Sequence, residues 1–173
     1  MVFEEASKQL SAYLERFEEV RSRTLRSLPK QRAVGLDAIY ELLTKSLVAV
    51  RTVATIEERV SAGSGVKEVC GGAFFTFSQS ESSFTRLKPL RSVSYIPAKG
   101  AIRISYAGSY VEVSSSSIEV NLEGVSRSVN YLDPAEVANN AAEYAAILNK
   151  AKMLVERLLP SISSCAKMLG VRL

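Results

Sequence analysis

The sequence predicts an α+β protein with an antiparallel β-meander of five to six strands. Two N-terminal helices and one long, proline-kinked C-terminal helix flank this sheet. Apolar residues recur at spacings of three and four near both ends of the chain, which is typical of amphipathic helices. In the middle they alternate with polar residues, as in half-buried strands. We therefore expect one domain over residues 1–173, helical over 1–62, a sheet over 66–131 and helical over 133–171.

A first helix is predicted from Val2 to about Leu28. Its apolar stripe consists of Phe3, Ala6, Leu10, Tyr13, Phe17 and Val20. Glutamates concentrate towards its start and arginines towards its end, which suits the dipole of a helix. Pro29 then interrupts the chain, because proline lacks the N–H group that a helix interior needs.

A second helix is predicted from about Gln31 to Ser61. Its apolar face is wider than that of the first helix, which indicates contact with more than one neighbour. Gly63-Ser64-Gly65 ends the helix and connects it to the sheet.

The strand region contains short turns that allow only antiparallel neighbours. Pro97 to Gly100, Ala107-Gly108 and Glu123-Gly124 have the composition of such turns. One face of the predicted sheet is apolar and the other is rich in serine, so one face should pack on helices and the other should meet water. Arg127 falls in phase with the apolar residues of the last strand, which the alternating pattern does not explain.

The last helix begins with a strong signal. Asp133 stands at the predicted N-cap, Pro134 at the first helical position and Glu136 at the third. A seven-residue apolar repeat then extends to Leu169, as in coiled coils. Pro160 falls inside this repeat and is expected to kink the helix or to split it. The order of helix, β-meander and helix is similar in layout to that of prefoldin-type chaperone subunits, although the residues themselves identify no family.

The long helices also predict self-association. Helices of about 40 Å would overhang strands of about 20 Å and leave an apolar stripe uncovered. The candidate residues for an interface between copies are Tyr144, Leu148, Val155, Leu158 and Ile162. The alternative is that the C-terminal and N-terminal stripes pair within one molecule.

Two stretches without acidic residues, 20–36 and 82–111, contain much of the basic charge of a chain whose net charge is +4. The candidate nucleic-acid contacts are Arg86, Lys88, Arg91, Lys99 and Arg103. Aromatic residues alternate with these cations, a mixture that often binds single-stranded nucleic acid. The alternative is a sheet whose edges are protected by cationic side chains.

The composition argues against an enzyme. The chain has no histidine, which removes the commonest general base and the usual metal ligand, and we expect neither a cofactor nor a metal. Glu57-Glu58 is interpreted as a solvated pair, because adjacent helical residues point in different directions. Cys70 and Cys165 are predicted to be buried, reduced thiols, with a disulfide as the alternative.

Together these observations predict a non-enzymatic interaction or assembly protein that is an oligomer or a subunit of a larger complex. The partner would be a second copy or another protein, and not a membrane, since no apolar run is long enough to span one. A nucleic-acid-binding subunit that uses residues 20–36 and 82–111 is the alternative, and an enzyme of unrecognised chemistry is the third hypothesis. We expect the cytoplasm as its compartment.

Overall fold

A computed structural model describes residues 1–60 and 64–172. Two long helices open the chain, and a short and a long helix close it. Their bounds are α1 Val2–Leu25, α2 Lys30–Val60, α3 Pro134–Asn139 and α4 Ala141–Met168. The predicted helical region continues to residue 62 and the predicted end of the second helix is Ser61, so both limits lie outside the described residues.

Between the helices the described residues form one antiparallel sheet of eight strands, each paired with the next along the chain. The strands are β1 Gly65–Val69, β2 Ala73–Phe77, β3 Ser82–Arg86, β4 Arg91–Ile96, β5 Ala101–Tyr106, β6 Ser109–Val113, β7 Ser117–Leu122 and β8 Val125–Asn130. The α+β class and the antiparallel meander are confirmed, but the predicted number of five to six strands is wrong.

The two strands that the pattern missed are β1 and β3. Four of the five residues of β1 are exposed, because this strand lies at the edge of the sheet, so its sequence shows little apolar alternation. In β3 the buried positions are Ser82 and Phe84, and a buried serine gives no apolar signal. Polar strands of this kind escape detection because the apolar alternation is itself the signal.

The helices lie across the strands and not along them. The ring of Phe3 contacts Phe75 in β2, and the ring of Phe17 contacts Tyr131 just after β8, so α1 spans almost the whole sheet. α4 likewise extends from Arg127 of β8, which pairs with Glu143, to the turn after β1. Eight strands are about 34 Å wide, which accommodates most of a helix of about 42 Å. The overhang is therefore smaller than the strand length predicts.

α2 packs mainly against α1 and α4, and the three long helices together cover one face of the sheet. Asp133 caps α3 as predicted, because its side chain accepts a hydrogen bond of 3.2 Å from the Glu136 N–H. The C-terminal helical region is interrupted at Asn140, whereas α4 continues through Pro160. Of the two expectations for Pro160, a kink or a split, the split is wrong, and the break in the helical region lies between α3 and α4.

The two cysteines form a disulfide bond, so the prediction of reduced thiols is wrong. Their Cα atoms are 5.5 Å apart although the residues are 95 positions apart in the sequence. Cys70 follows β1, and Cys165 lies in the last turns of α4 with no exposed surface. The bond therefore links one edge of the sheet to the helical layer.

Tyr131 is a buried tyrosine that makes stability depend on alkaline pH. Burial raises the pKa of its phenol well above the ordinary value, and the hydroxyl donates a hydrogen bond to the Ser114 carbonyl. Above about pH 10 the unfolded chain loses this proton while the folded chain keeps it, so the stabilisation is complete below about pH 10 and is lost as pH rises.

We therefore expect the free energy of unfolding, measured by urea titration, to fall between pH 9 and pH 11. Tyr131→Phe should be about 1 kcal/mol less stable at pH 8, because the hydrogen bond is lost. It should nevertheless show a smaller loss above pH 10 than the parent protein. Equal losses in the two proteins would contradict the assignment to Tyr131. Burial also raises the pKa of Tyr13 and of Tyr95, and a hydrogen bond to Glu136 raises that of Tyr144. These three tyrosines contribute to the pH dependence of stability that remains in Tyr131→Phe.

Candidate functional site

The residues predicted as an interface between copies are part of the core of one molecule. Leu148, Val155, Leu158 and Ile162 are at most 1% exposed. Tyr144 is also buried, and its hydroxyl donates a hydrogen bond of 2.8 Å to Glu136, which raises the pKa of the phenol. The apolar stripe of α4 is thus covered within the molecule, so these five side chains are not available to a second copy.

The five basic residues proposed for nucleic-acid contact do not form one patch. Arg86, Lys88 and Arg91 belong to the β3–β4 hairpin, while Lys99 lies beyond the opposite end of β4. The guanidinium of Arg86 donates to the Ser161 carbonyl at 2.9 Å. That of Arg91 donates to carbonyl groups of its own turn. Within this hairpin, Lys88 is the exposed cation.

Arg103 lies on the outer face of the sheet, as its phase predicts, and is held by neighbouring side chains. It forms an ion pair with Glu112 at 3.0 Å and lies 4.0 Å from the ring centroid of Tyr110. The Tyr110 hydroxyl donates to Glu119 at 3.0 Å. This face is mostly hydroxyl-bearing, and its central cation is neutralised, so it offers a phosphate backbone little attraction.

The two edges of the sheet differ in how well they are protected. The edge strand β1 has an exposed Lys67 and Glu68, and charged residues on an edge discourage pairing with another strand. β8 at the other edge contains no proline and one charged residue, Arg127. Arg127 pairs with Glu143 of α4, which explains its place on the helix-facing side and neutralises it. β8 is therefore the less protected edge.

The backbone of β8 has groups that point away from the sheet. Glu123 and Gly124 have positive φ values of 53° and 86°, the conformation of a two-residue hairpin turn. Hydrogen-bonded pairs then alternate from Leu122 and Val125 onwards, and the Tyr131 N–H still donates to Ser116 at 3.2 Å. In this pattern Ser126 and Ser128 direct their N–H and C=O groups outwards, and their side chains are too short to cover them.

A second polar feature, which the sequence interpretation missed, is the side chain of Glu57. It is 2% exposed, so its assignment to a solvated face is wrong. Its Oε1 atom accepts a hydrogen bond of 2.9 Å from the Phe3 N–H, and no side chain at the N-cap of α1 does so. The signal was available, since Glu57 lies four residues after Val53 and three before Val60, in phase with the apolar face of α2.

Glu57 lines a pocket of about 420 Å³ between the start of α1, the end of α2 and the β2–β3 hairpin. Its walls include Met1, Val2 and Phe77, and the buried Ser82 contributes a hydroxyl group. The described part of the chain contains no cluster of three side chains suited to bind a metal. None of the described helices is long and apolar enough to cross a membrane.

The fold is thus a two-layer α+β structure with three long helices on one face of an eight-stranded meander. No protein-family model, no curated protein and no solved structure matches this chain.

Proposed function

We propose that this chain is a non-enzymatic assembly protein that binds a partner by adding a strand to the open edge at β8. The observation that carries the proposal is the contrast between the two edges. β1 has exposed charged side chains that discourage pairing, whereas the one charged side chain of β8 already forms an ion pair. Backbone N–H and C=O groups on an open edge are a template for another strand. Ser126 and Ser128 supply these groups.

The proposed partner is the β8 strand of a second copy. Two identical antiparallel strands related by a two-fold axis present the same groups to each other, and dimers with two-fold symmetry are the commonest homo-oligomers. The side chains of Ser126 and Ser128 are small and uncharged, so they would not hinder this pairing. Arg127 is already neutralised by Glu143. Val125, which is 67% exposed, would lose contact with water on pairing.

The test is a proline at the centre of the edge. Ser128→Pro removes an N–H that points outwards, so the monomer loses no hydrogen bond of its own sheet, and edge strands tolerate proline in this orientation. We expect the parent protein to show twice the monomer mass in size-exclusion chromatography with light scattering. Ser128→Pro should weaken the dimer by at least about tenfold, because pairing loses backbone hydrogen bonds.

Ser128→Ala is the matched control, since it removes the hydroxyl and keeps the backbone N–H. It should remain a dimer. A parent protein that is monomeric throughout a concentration series, or a Ser128→Pro variant that dimerises as tightly as the parent, would refute pairing through β8.

The nucleic-acid alternative is favoured by one observation, at the corner between α1 and α2. Arg23, Arg26 and Lys30 are exposed there, and none of them forms an ion pair with another described residue. This corner belongs to the stretch 20–36. Absorbance at 260 and 280 nm, recorded in the same chromatography, distinguishes the hypotheses: a ratio that is raised and that nuclease lowers would favour nucleic acid over self-pairing.

A further inference from the structure

We propose that the pocket at Glu57 binds a small organic ammonium ion with an apolar body. This inference is independent of the edge at β8. It depends on three properties of the pocket, namely a buried carboxylate with one oxygen that receives no hydrogen bond from a described residue, a second buried polar group, and an apolar wall that is held in place.

The described residues form a hydrogen bond with only one oxygen of the Glu57 carboxylate. Oε1 caps α1 through the Phe3 N–H, whereas Oε2 accepts no hydrogen bond from another described residue. Glu57 is 2% exposed and is one of the residues that line the pocket. A largely buried carboxylate oxygen that accepts no hydrogen bond from a described residue is suited to a ligand that donates one.

The charge of the pocket favours a cation. Glu57 is the one ionisable side chain among the described residues that line it. No described lysine or arginine, nor the α-ammonium of Met1, lies within 4.0 Å of its carboxylate. Ser82, which is 3% exposed, lines the same pocket, and no described residue forms a hydrogen bond with its hydroxyl. A primary ammonium has three N–H donors and no acceptor, which matches a carboxylate oxygen beside a hydroxyl oxygen.

The apolar wall is preorganised for an aromatic or aliphatic body. The ring of Phe77 stacks on Phe75, with centroids 5.4 Å apart and planes inclined by 10°. Phe75 in turn contacts Phe3 and Phe84 in the core, so the position of Phe77 is fixed by packing. Met1 and Val2 line the pocket as well. A cation near an aromatic face gains a further attraction.

The probe that tests this proposal is 2-phenylethylammonium, with 2-phenylethanol as its uncharged counterpart. Isothermal titration should show saturable binding of the ammonium at one site, and at least about tenfold weaker binding of the alcohol. Glu57→Gln keeps a carbonyl oxygen for the Phe3 N–H and removes the charge. It should weaken ammonium binding by at least about tenfold. Phe77→Leu should weaken it by about threefold or more.

Glu58→Gln is the matched control, because Glu58 is adjacent in sequence, is exposed and does not line this pocket. It should bind the ammonium like the parent protein. In amide NMR spectra, ligand-induced shifts should centre on Phe3, Phe77 and Ser82. Absence of saturable binding, equal affinity for the alcohol, or shifts centred elsewhere would each overturn the proposal. Should Glu57→Gln prove unstable, the two ligands and the NMR shifts on the parent protein still decide the question.

Discussion

Replacing Leu148 with aspartate is expected to unfold the protein. Leu148 has no exposed surface and lies in the cluster formed by α2, α4 and the sheet. A carboxylate at this position would lose its hydration without gaining a partner, and such changes cost more than about 4 kcal/mol. Because the whole free energy of unfolding of a domain is only about 5–15 kcal/mol, we expect loss of the near-ultraviolet circular dichroism signal. We also expect either aggregation or earlier elution in size-exclusion chromatography, as for an expanded chain. Val155→Asp should behave in the same way.

Met153→Asp is the matched control on the same helix. Met153 is 52% exposed, so the substitution should change the free energy of unfolding by about 0.5 kcal/mol or less. A folded, monomeric Leu148→Asp protein, derived from a parent that is a dimer, would contradict the structure. It would instead support the prediction that the apolar stripe of α4 is an interface between copies.

The contrast between these two positions shows what helical periodicity predicts. A stripe of residues such as Leu148 and Val155 predicts correctly that one face of a helix is buried, but not what covers it. The same stripe serves a coiled coil between two chains and a helix packed on a sheet. The stripe of α4 is covered within one molecule because the helices run across the strands. This direction depends on contacts between residues far apart in the sequence.

Local signals predicted local structure well. The cap at Asp133 and the tight turn at Glu123-Gly124 are confirmed because each depends on a few adjacent residues. β1 and β3 were missed because edge exposure and a buried serine hide their alternation. The open edge of β8 could not be predicted, since which strand is last and unpaired depends on the whole sheet.

The burial of Glu57 was predicted wrongly for a different reason. The position of Glu57 within α2 indicates burial, whereas a glutamate side chain is usually exposed to solvent. The prediction based on residue type was wrong. The hydrogen bond that compensates for the burial of Glu57 is visible only in the structure, because its donor is the N–H group of Phe3, which is 54 positions away in the sequence. Long-range caps of this kind have no sequence signature.

The disulfide between Cys70 and Cys165 provides the second large expected effect. A link between residues 95 positions apart restricts the unfolded chain strongly, because it closes a long loop. The chain-entropy relation gives about 4–5 kcal/mol for a loop of this size, and measured values are typically about 2–4 kcal/mol. We therefore expect reduction of the parent protein to lower its free energy of unfolding by about 2–4 kcal/mol in urea titrations.

Comparing oxidised with reduced parent protein isolates the bond, because the side chains are otherwise the same. The variant with Cys70→Ala and Cys165→Ala serves as the control, since reductant should leave its stability unchanged. Thiol titration of the unfolded, untreated parent should find no free thiol. Two free thiols together with a stability that reductant does not alter would contradict the bond and favour the reduced state predicted from the sequence. The bond joins the β1 edge to the end of α4. Its loss should therefore increase the hydrogen-exchange rates of the β1 backbone amides more than those of the β8 amides.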